Sequence, residues 1–251
     1  MSLFVQLPIV STRNYGQVAP EDIAPLFEAE SDLWGRFEFK ENLLASNNKR
    51  LSLTPQQAGT YTLNSNYLTF NTEVGKALLS SFKTSDYADK GVTVCGVFRI
   101  PTATVVPTDV QLIFGDHPVF GQHTGFQRSI NSNQQKQLVG AIKPGVNNVG
   151  FVDAVNDQWV FLAMTLDRSN LTKYATLNKN SFIDNFGSGV STQKWIDSPY
   201  TVAVGASHYK SAARTLDCAE FSIYTKYMTQ AELNDVYLGA KARMTTKGFS
   251  L

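Results

Sequence analysis

The fold turns on one stretch near the C-terminus: Ala219-Glu220-Phe221-Ser222-Ile223-Tyr224, then Thr225-Lys226-Tyr227-Met228, then Thr229-Gln230-Ala231-Glu232-Leu233. The first six residues are an apolar and aromatic run of the kind that suits a strand. The pattern then changes. Thr229 and Glu232 form a capping box, in which the threonine oxygen accepts from the amide of Glu232 while the glutamate reaches back to the cap amide. Met228 and Leu233 are placed for the accompanying hydrophobic staple. Leu233, Val236, Tyr237 and Ala240 fall at i, i+3, i+4 and i+7 and give one apolar face. A strand that hands over to a capped helix at about 230–241 predicts a helix docked on a sheet. Fraying is expected around Lys241 to Met244, with the last residues as a mobile tail.

Working back from there, the clearest strand is Gly91-Val92-Thr93-Val94-Cys95-Gly96-Val97-Phe98-Arg99-Ile100-Pro101, whose alternate sets are both apolar or small. That predicts a central strand covered on both faces. Further strands are expected at Tyr67 to Phe70, Val110 to Phe114, Phe126 to Ile130, Gln137 to Ile142, Trp159 to Leu166, Lys173 to Leu177 and Thr201 to Val204. Clusters of Gly, Asn, Asp, Ser and Pro separate them, the spacing of an all-β antiparallel sandwich over residues 33–251. Residues 1–32 differ, with Pro8, Pro20 and Pro25 and acids at Glu21, Asp22, Glu28, Glu30 and Asp32. Proline removes donors and fixes φ, so an extended N-terminal arm is expected, with at most a short helix near Pro20 to Ala29.

Composition narrows the function classes. In 251 residues, 43% are apolar and 17% charged, and 22 basic against 21 acidic side chains leave a net charge of +1. That balance gives no general grip on nucleic acid or on an anionic membrane surface. No apolar run reaches membrane-spanning length, so no membrane insertion is expected, and the opening residues make a poor export signal, which predicts synthesis in a host cytoplasm. Cys95 and Cys218 fall in strand-like stretches and read as buried thiols, with a disulfide open if the two strands are neighbours.

Three segments together resemble the concanavalin A-like lectin/glucanase superfamily, in its laminin-G-like branch. They are the Val92 to Ile100 strand with Gln111-Leu112-Ile113-Phe114-Gly115-Asp116, the run from Asn156 to Asp167 with Tyr174-Ala175-Thr176-Leu177-Asn178, and the run from Val202 through Tyr224 into the capped helix. The glycine usual after Asn178 is Lys179 here, so that hairpin is expected to be longer. The resemblance implies two packed sheets in a jelly-roll-like arrangement and a core role for Trp159. It also implies ligands held on loops or on the concave sheet. Joined to a proline-bearing arm, such a sandwich looks like a bacteriophage tail-fibre or tail-tip protein.

Catalytic chemistry finds little support. Retaining glycosidases need two carboxyls about 5–5.5 Å apart, and Glu28-x-Glu30-x-Asp32 lies in the arm, where a solvated acidic face accounts for it. No G-x-S-x-G elbow exposes a serine. No catalytic residue, metal or cofactor is therefore expected. Two loops carry the candidate ligand-binding residues. Asp116, His117, Phe120 and His123 sit in a glycine-rich loop, where they serve either as a pocket or as pins for a long connection. Trp195, Tyr200 and His208 make either a glycan platform or a plug at the sandwich end.

Three functions follow. The first is a non-enzymatic virion part of a phage tail that binds host cell-surface polysaccharide, contacts other tail proteins and assembles as a homo-oligomer, with a trimer expected. The second is a polysaccharide depolymerase or glycoside hydrolase, which requires two carboxyls to converge from Asp116, Asp153, Asp157 or Glu220. The third is a free carbohydrate-binding lectin module.

Overall fold

Apolar alternation on many short segments is satisfied by stacking two sheets, and a computed structural model shows that arrangement. It describes residues 32–87, 91–101, 110–116, 125–130, 136–142, 147–152, 157–166, 173–177, 181–183, 200–208 and 211–251. The first sheet has eight strands: in spatial order β13 (Ser181–Ile183), β12 (Lys173–Leu177), β11 (Trp159–Leu166), β6 (Val92–Arg99), β15 (Thr215–Tyr224), β4 (Leu68–Asn71) and β3 (Tyr61–Leu63), with β1 (Leu33–Phe37) also beside β15. The second has seven: β10 (Asn147–Val152), β9 (Lys136–Ile142), β8 (Gly125–Ile130), β7 (Gln111–Gly115), β14 (Thr201–Val204), β5 (Leu78–Lys83) and β2 (Thr54–Pro55). Neighbouring strands pair antiparallel throughout the described residues. The expected strands are present within a residue at either end, except that β6 ends at Arg99 rather than Pro101 and β15 begins at Thr215 rather than Ala219. The arm at 1–31 lies outside the described residues.

The core lies between the sheets. Phe98 and Phe221 of the first sheet meet Phe114 of the second at ring-centre distances of 5.5 and 6.0 Å, and Phe126 joins Phe114 at 5.3 Å. Strand β6 sends Val92, Val94 and Phe98 into this layer and Cys95 and Val97 to the opposite face, as its two apolar sets require. The cysteines are both buried and free, on opposite faces of one sheet. Adjacent strands therefore carry them without any prospect of a disulfide.

Strand β15 changes face partway along. Leu216 and Cys218 point into the sandwich, and so do Phe221 and Ile223, which are out of step with them by one residue. A bulge between Cys218 and Glu220 makes the change, because Cys218 pairs with Phe98 and Glu220 with Val97, leaving Ala219 extra. Glu220 is thereby placed on the outer face, 2% exposed. There the Arg243 guanidinium holds it in a fork, Nε to Oε2 and Nη2 to Oε1, both 2.8 Å.

Arg243 belongs to α1 (Gln230–Thr246), which covers the outer face of the first sheet. Its capping box is formed as expected, with Thr229 N donating to Glu232 Oε2 at 2.8 Å and Glu232 N donating to Thr229 Oγ1 at 3.4 Å. Met228 and Leu233 are both buried in the layer beneath the helix. The expected end at 241 and the mobile tail are corrected. Met244 is fully buried, and Gly248 at φ 81° turns the chain so that Phe249 N donates to Met244 O at 2.9 Å. Lys247 Nζ then donates to Glu38 O at 3.0 Å and to Ala219 O at 2.9 Å.

Two outcomes test this packing. A Cβ on Gly96 would stand 2.6 Å from Glu220 O and 2.7 Å from the Phe98 ring. Gly96→Ala should therefore cost about 3 kcal/mol, read as a lower midpoint in denaturant unfolding. Burial alone would raise the Glu220 carboxyl, but the charge and hydrogen bonds of Arg243, with Arg36 and Lys247, outweigh it and hold the carboxyl below its ordinary value. The stability this supplies is complete above the unfolded-state carboxyl pKa of about 4.3 and is lost as pH falls through the lower folded value. Glu220→Gln, which removes the charge that Arg243 pairs with, should lose about 3 kcal/mol at pH 7, and its stability should fall less steeply than that of the parent on acidification.

Candidate functional site

Strand register brings Asp116 and Tyr200, which border the two candidate loops, to one end of the second sheet. Gly115 of β7 pairs with Gly125 of β8 and with Ala203 of β14, while Thr201 pairs with Lys83 of β5. Asp116, Tyr200 and the exposed Lys83 therefore share one end of the sandwich. His117, Phe120, His123 and Trp195 lie outside the described residues.

Tyr200 and His208 come together. Their ring centres are 4.2 Å apart and tilted by 46°, with Tyr200 half-buried and His208 exposed. Between them in sequence lies Gly205, whose φ of 85° favours glycine. Gly205 N donates to Ile113 O at 2.8 Å, and a Cβ there would stand 2.8 Å from the Phe70 ring. Gly75 N and Gln56 Nε2 hold the next turn through Ala206 O at 2.9 Å and Ser207 O at 3.1 Å. A pair of rings on so constrained a turn presents a rigid amphipathic edge, which is what a sugar face stacks on. Lys83 beside it escaped the sequence reading because β5 did. The signal was present in Leu78-Ser80-Phe82 against Leu79-Ser81-Lys83, an alternation that leaves Ser81 and Lys83 exposed.

Asp116 is different. It is 3% exposed and walls a cavity of ≈ 10 Å³ together with Val92, Val94, Phe114 and Met164. That space holds about one water. Among the described residues, that space is too small for a sugar ring, so a ligand there would engage the rim.

Of the four carboxyls named for hydrolysis, the three among the described residues, Asp116, Asp157 and Glu220, do not meet. Glu220 lies under α1 with Arg243, and Asp153 lies outside the described residues. Asp157 is exposed, with its amide donating to Ile100 O at 2.9 Å, at the end of β6 opposite Val92 and the Asp116 cavity. Among the described residues no group of three or more His, Cys, Asp and Glu is placed to hold a metal.

A second aromatic cluster lies on the outer face of the first sheet. Trp159, expected in the core, is half-buried there instead, because the odd residues of β11 face α1 while Val160, Leu162 and Met164 face the sandwich. Phe249 stacks on its ring at 4.6 Å and Arg99 covers it at 5.0 Å. Arg99 also lies over Tyr67 at 5.3 Å and pairs with Asp217 at 2.7 Å. Phe249 and Arg99 thus occupy the Trp159 ring faces, and the cluster serves as a clasp for the C-terminal residues. Phe249→Ala should lose about 2 kcal/mol and shift tryptophan emission to the red as water reaches Trp159.

No protein-family model and no curated protein sequence matches the chain. Solved structures share the fold at low identity. A Trypanosoma rangeli sialidase superposes with a TM-score of 0.60 at 13% identity over 83% of this chain and 33% of that one. The receptor binding domain of botulinum neurotoxin C/D mosaic serotype gives 0.58 at 13% over 84% and 52%. The botulinum neurotoxin serotype D ligand binding domain in complex with N-acetylneuraminic acid gives 0.55 at 13% over 86% and 52%. The chain thus spans between a third and about half of each of these proteins.

Proposed function

We propose that this chain is a non-enzymatic carbohydrate-recognition sandwich that serves in a phage tail fibre or tail tip. The observation that carries the recognition half is the rigid Tyr200–His208 ring pair on the rim of a sandwich whose mouth has room for about one water. The narrow space among the described residues directs binding to the exposed edge, where a saccharide face meets the rings and its hydroxyls reach Lys83. Structural likeness to a toxin receptor binding domain and to a domain seen with N-acetylneuraminic acid supports this reading. Support for the tail comes from the sequence resemblance and the proline-bearing arm. In that setting the chain binds host surface polysaccharide, contacts other tail proteins and forms a trimer in the virion. The dispersed carboxyls speak against hydrolysis.

A glycan array probed with the full chain should give discrete positives, and the Tyr200→Ala/His208→Ala double variant should bind them about tenfold more weakly with an unchanged melting temperature. A blank array, or full binding by the variant, would sink the recognition half. Reducing ends released from host polysaccharide would replace it with the depolymerase reading. Light scattering should give three chains per particle, and a monomer at every concentration would remove the trimer.

A further inference from the structure

On leaving β1, the chain crosses the side of the sandwich before β2, and its two sides have opposite character. Inward, Phe39, Leu43, Ala45 and Leu53 are buried in the inter-sheet core. Outward, the same segment encloses a hollow of ≈ 300 Å³ whose wall includes Glu38, Lys40, Glu41, Asn42, Leu44 and Lys49. The shape is built rather than incidental. Phe39 holds a φ of 50° with its ring 1% exposed, a left-handed backbone that a buried aromatic residue adopts only when its surroundings impose it. Leu53 N donates to Leu43 O at 2.9 Å, Ala45 N to Leu51 O at 2.9 Å and Ser46 N to Arg36 O at 2.6 Å. Backbone bonds on both arms therefore fix the opening before any ligand arrives.

Its charges are largely uncommitted. Lys40 reaches Glu38 only at 3.7 Å, through a side chain that is 62% exposed. Lys49 and Glu41 make no hydrogen bond or ion pair among the described residues. Asn42 Oδ1 accepts from Leu44 N at 2.9 Å, which orients the side chain and leaves its amide nitrogen to donate elsewhere. Leu44, 37% exposed, is one of two large exposed apolar side chains among the described residues.

These features select a ligand class. The volume is at the lower end of the roughly 300–1,000 Å³ of small-molecule sites, which suits one ring and excludes a long oligosaccharide. Two carboxylates beside two ammoniums repel a dianion such as phosphate, yet suit a ligand with one carboxylate and several hydroxyls. The ammoniums take the carboxylate, Glu41 and Asn42 take hydroxyls, and Leu44 takes a C–H face. We propose that this hollow is a second carbohydrate subsite, which binds one carboxylate-bearing sugar of the uronic-acid class. Only the choice of a sugar over another small hydroxy acid rests on the recognition reading above. The site itself is separate from Tyr200 and His208.

The test is a titration of the ¹⁵N-labelled full chain with sodium glucuronate, alongside glucose, which lacks the carboxylate, and acetate, which lacks the hydroxylated ring. Glucuronate should shift the amides of residues 38–49 saturably, and neither control should reproduce the pattern. Lys40→Gln/Lys49→Gln should weaken it about tenfold, and 0.5 M salt should do likewise. The Tyr200→Ala/His208→Ala variant should leave it intact. Absence of shifts in residues 38–49 at tens of millimolar glucuronate overturns the proposal. So does an equal response to acetate, which would mark a bare anion site, or a response confined to Tyr200 and His208. A blank glycan array together with glucuronate shifts at 38–49 would sink the rim reading and leave this subsite standing.

Discussion

The structure depends on strand β15 being covered on both faces while carrying a carboxylate. A buried charge is costly unless paired, and the bulge at Ala219 turns Glu220 outward, where Arg243 meets it with two hydrogen bonds of 2.8 Å. Without the extra residue, the alternation that buries Leu216 and Cys218 would also bury Glu220 between the sheets and expel Phe221 from the aromatic contact with Phe114. The same bulge joins two layers: phenylalanines on one side and the helix on the other. β15 also pairs with β6, β4 and β1, so its register sets much of the first sheet.

That layering decides where function can reside. One face of the first sheet is occupied by α1 and the docked C-terminal residues, and the other by the second sheet. Close packing at the mouth leaves room for about one water beside Asp116. Among the described residues, the candidate groups lie on the rim and on the side crossing. Both carry constrained backbone: a glycine turn at Gly205 and a left-handed Phe39. A rigid edge that displays rings and charges is suited to binding a sugar without closing over it. Among the described residues, Asp116, Asp157 and Glu220 sit in different layers or at opposite ends.

The clasp around Trp159 shows how aromatic content alone misleads. Trp159, Tyr67 and Phe249 resemble a saccharide platform in composition, yet Arg99 and Phe249 cover the Trp159 ring faces. At Tyr200 and His208 the aromatic edge lies beside an exposed imidazole instead. The difference lies in what the chain brings to each ring from far away in sequence.

The amino-acid sequence by itself determined the sandwich class, the central position of β6, the capping box at Thr229 and the burial of both cysteines. Each of these depends on local alternation or on residues within one turn, so neighbouring side chains carry the whole signal. Tertiary structure alone decided the bulge in β15, the short strands β2, β3 and β13, and the pairing of Thr201 with Lys83 that sets Tyr200 beside β5. It also decided the fate of the C-terminus: the sequence suggested a frayed, mobile tail, but the docking of Phe249 depends on Trp159 and Tyr67, about 90 and 180 residues away. Pairings of that kind draw their energy from surfaces that exist only once the sheets have formed, and no periodicity along the chain records them.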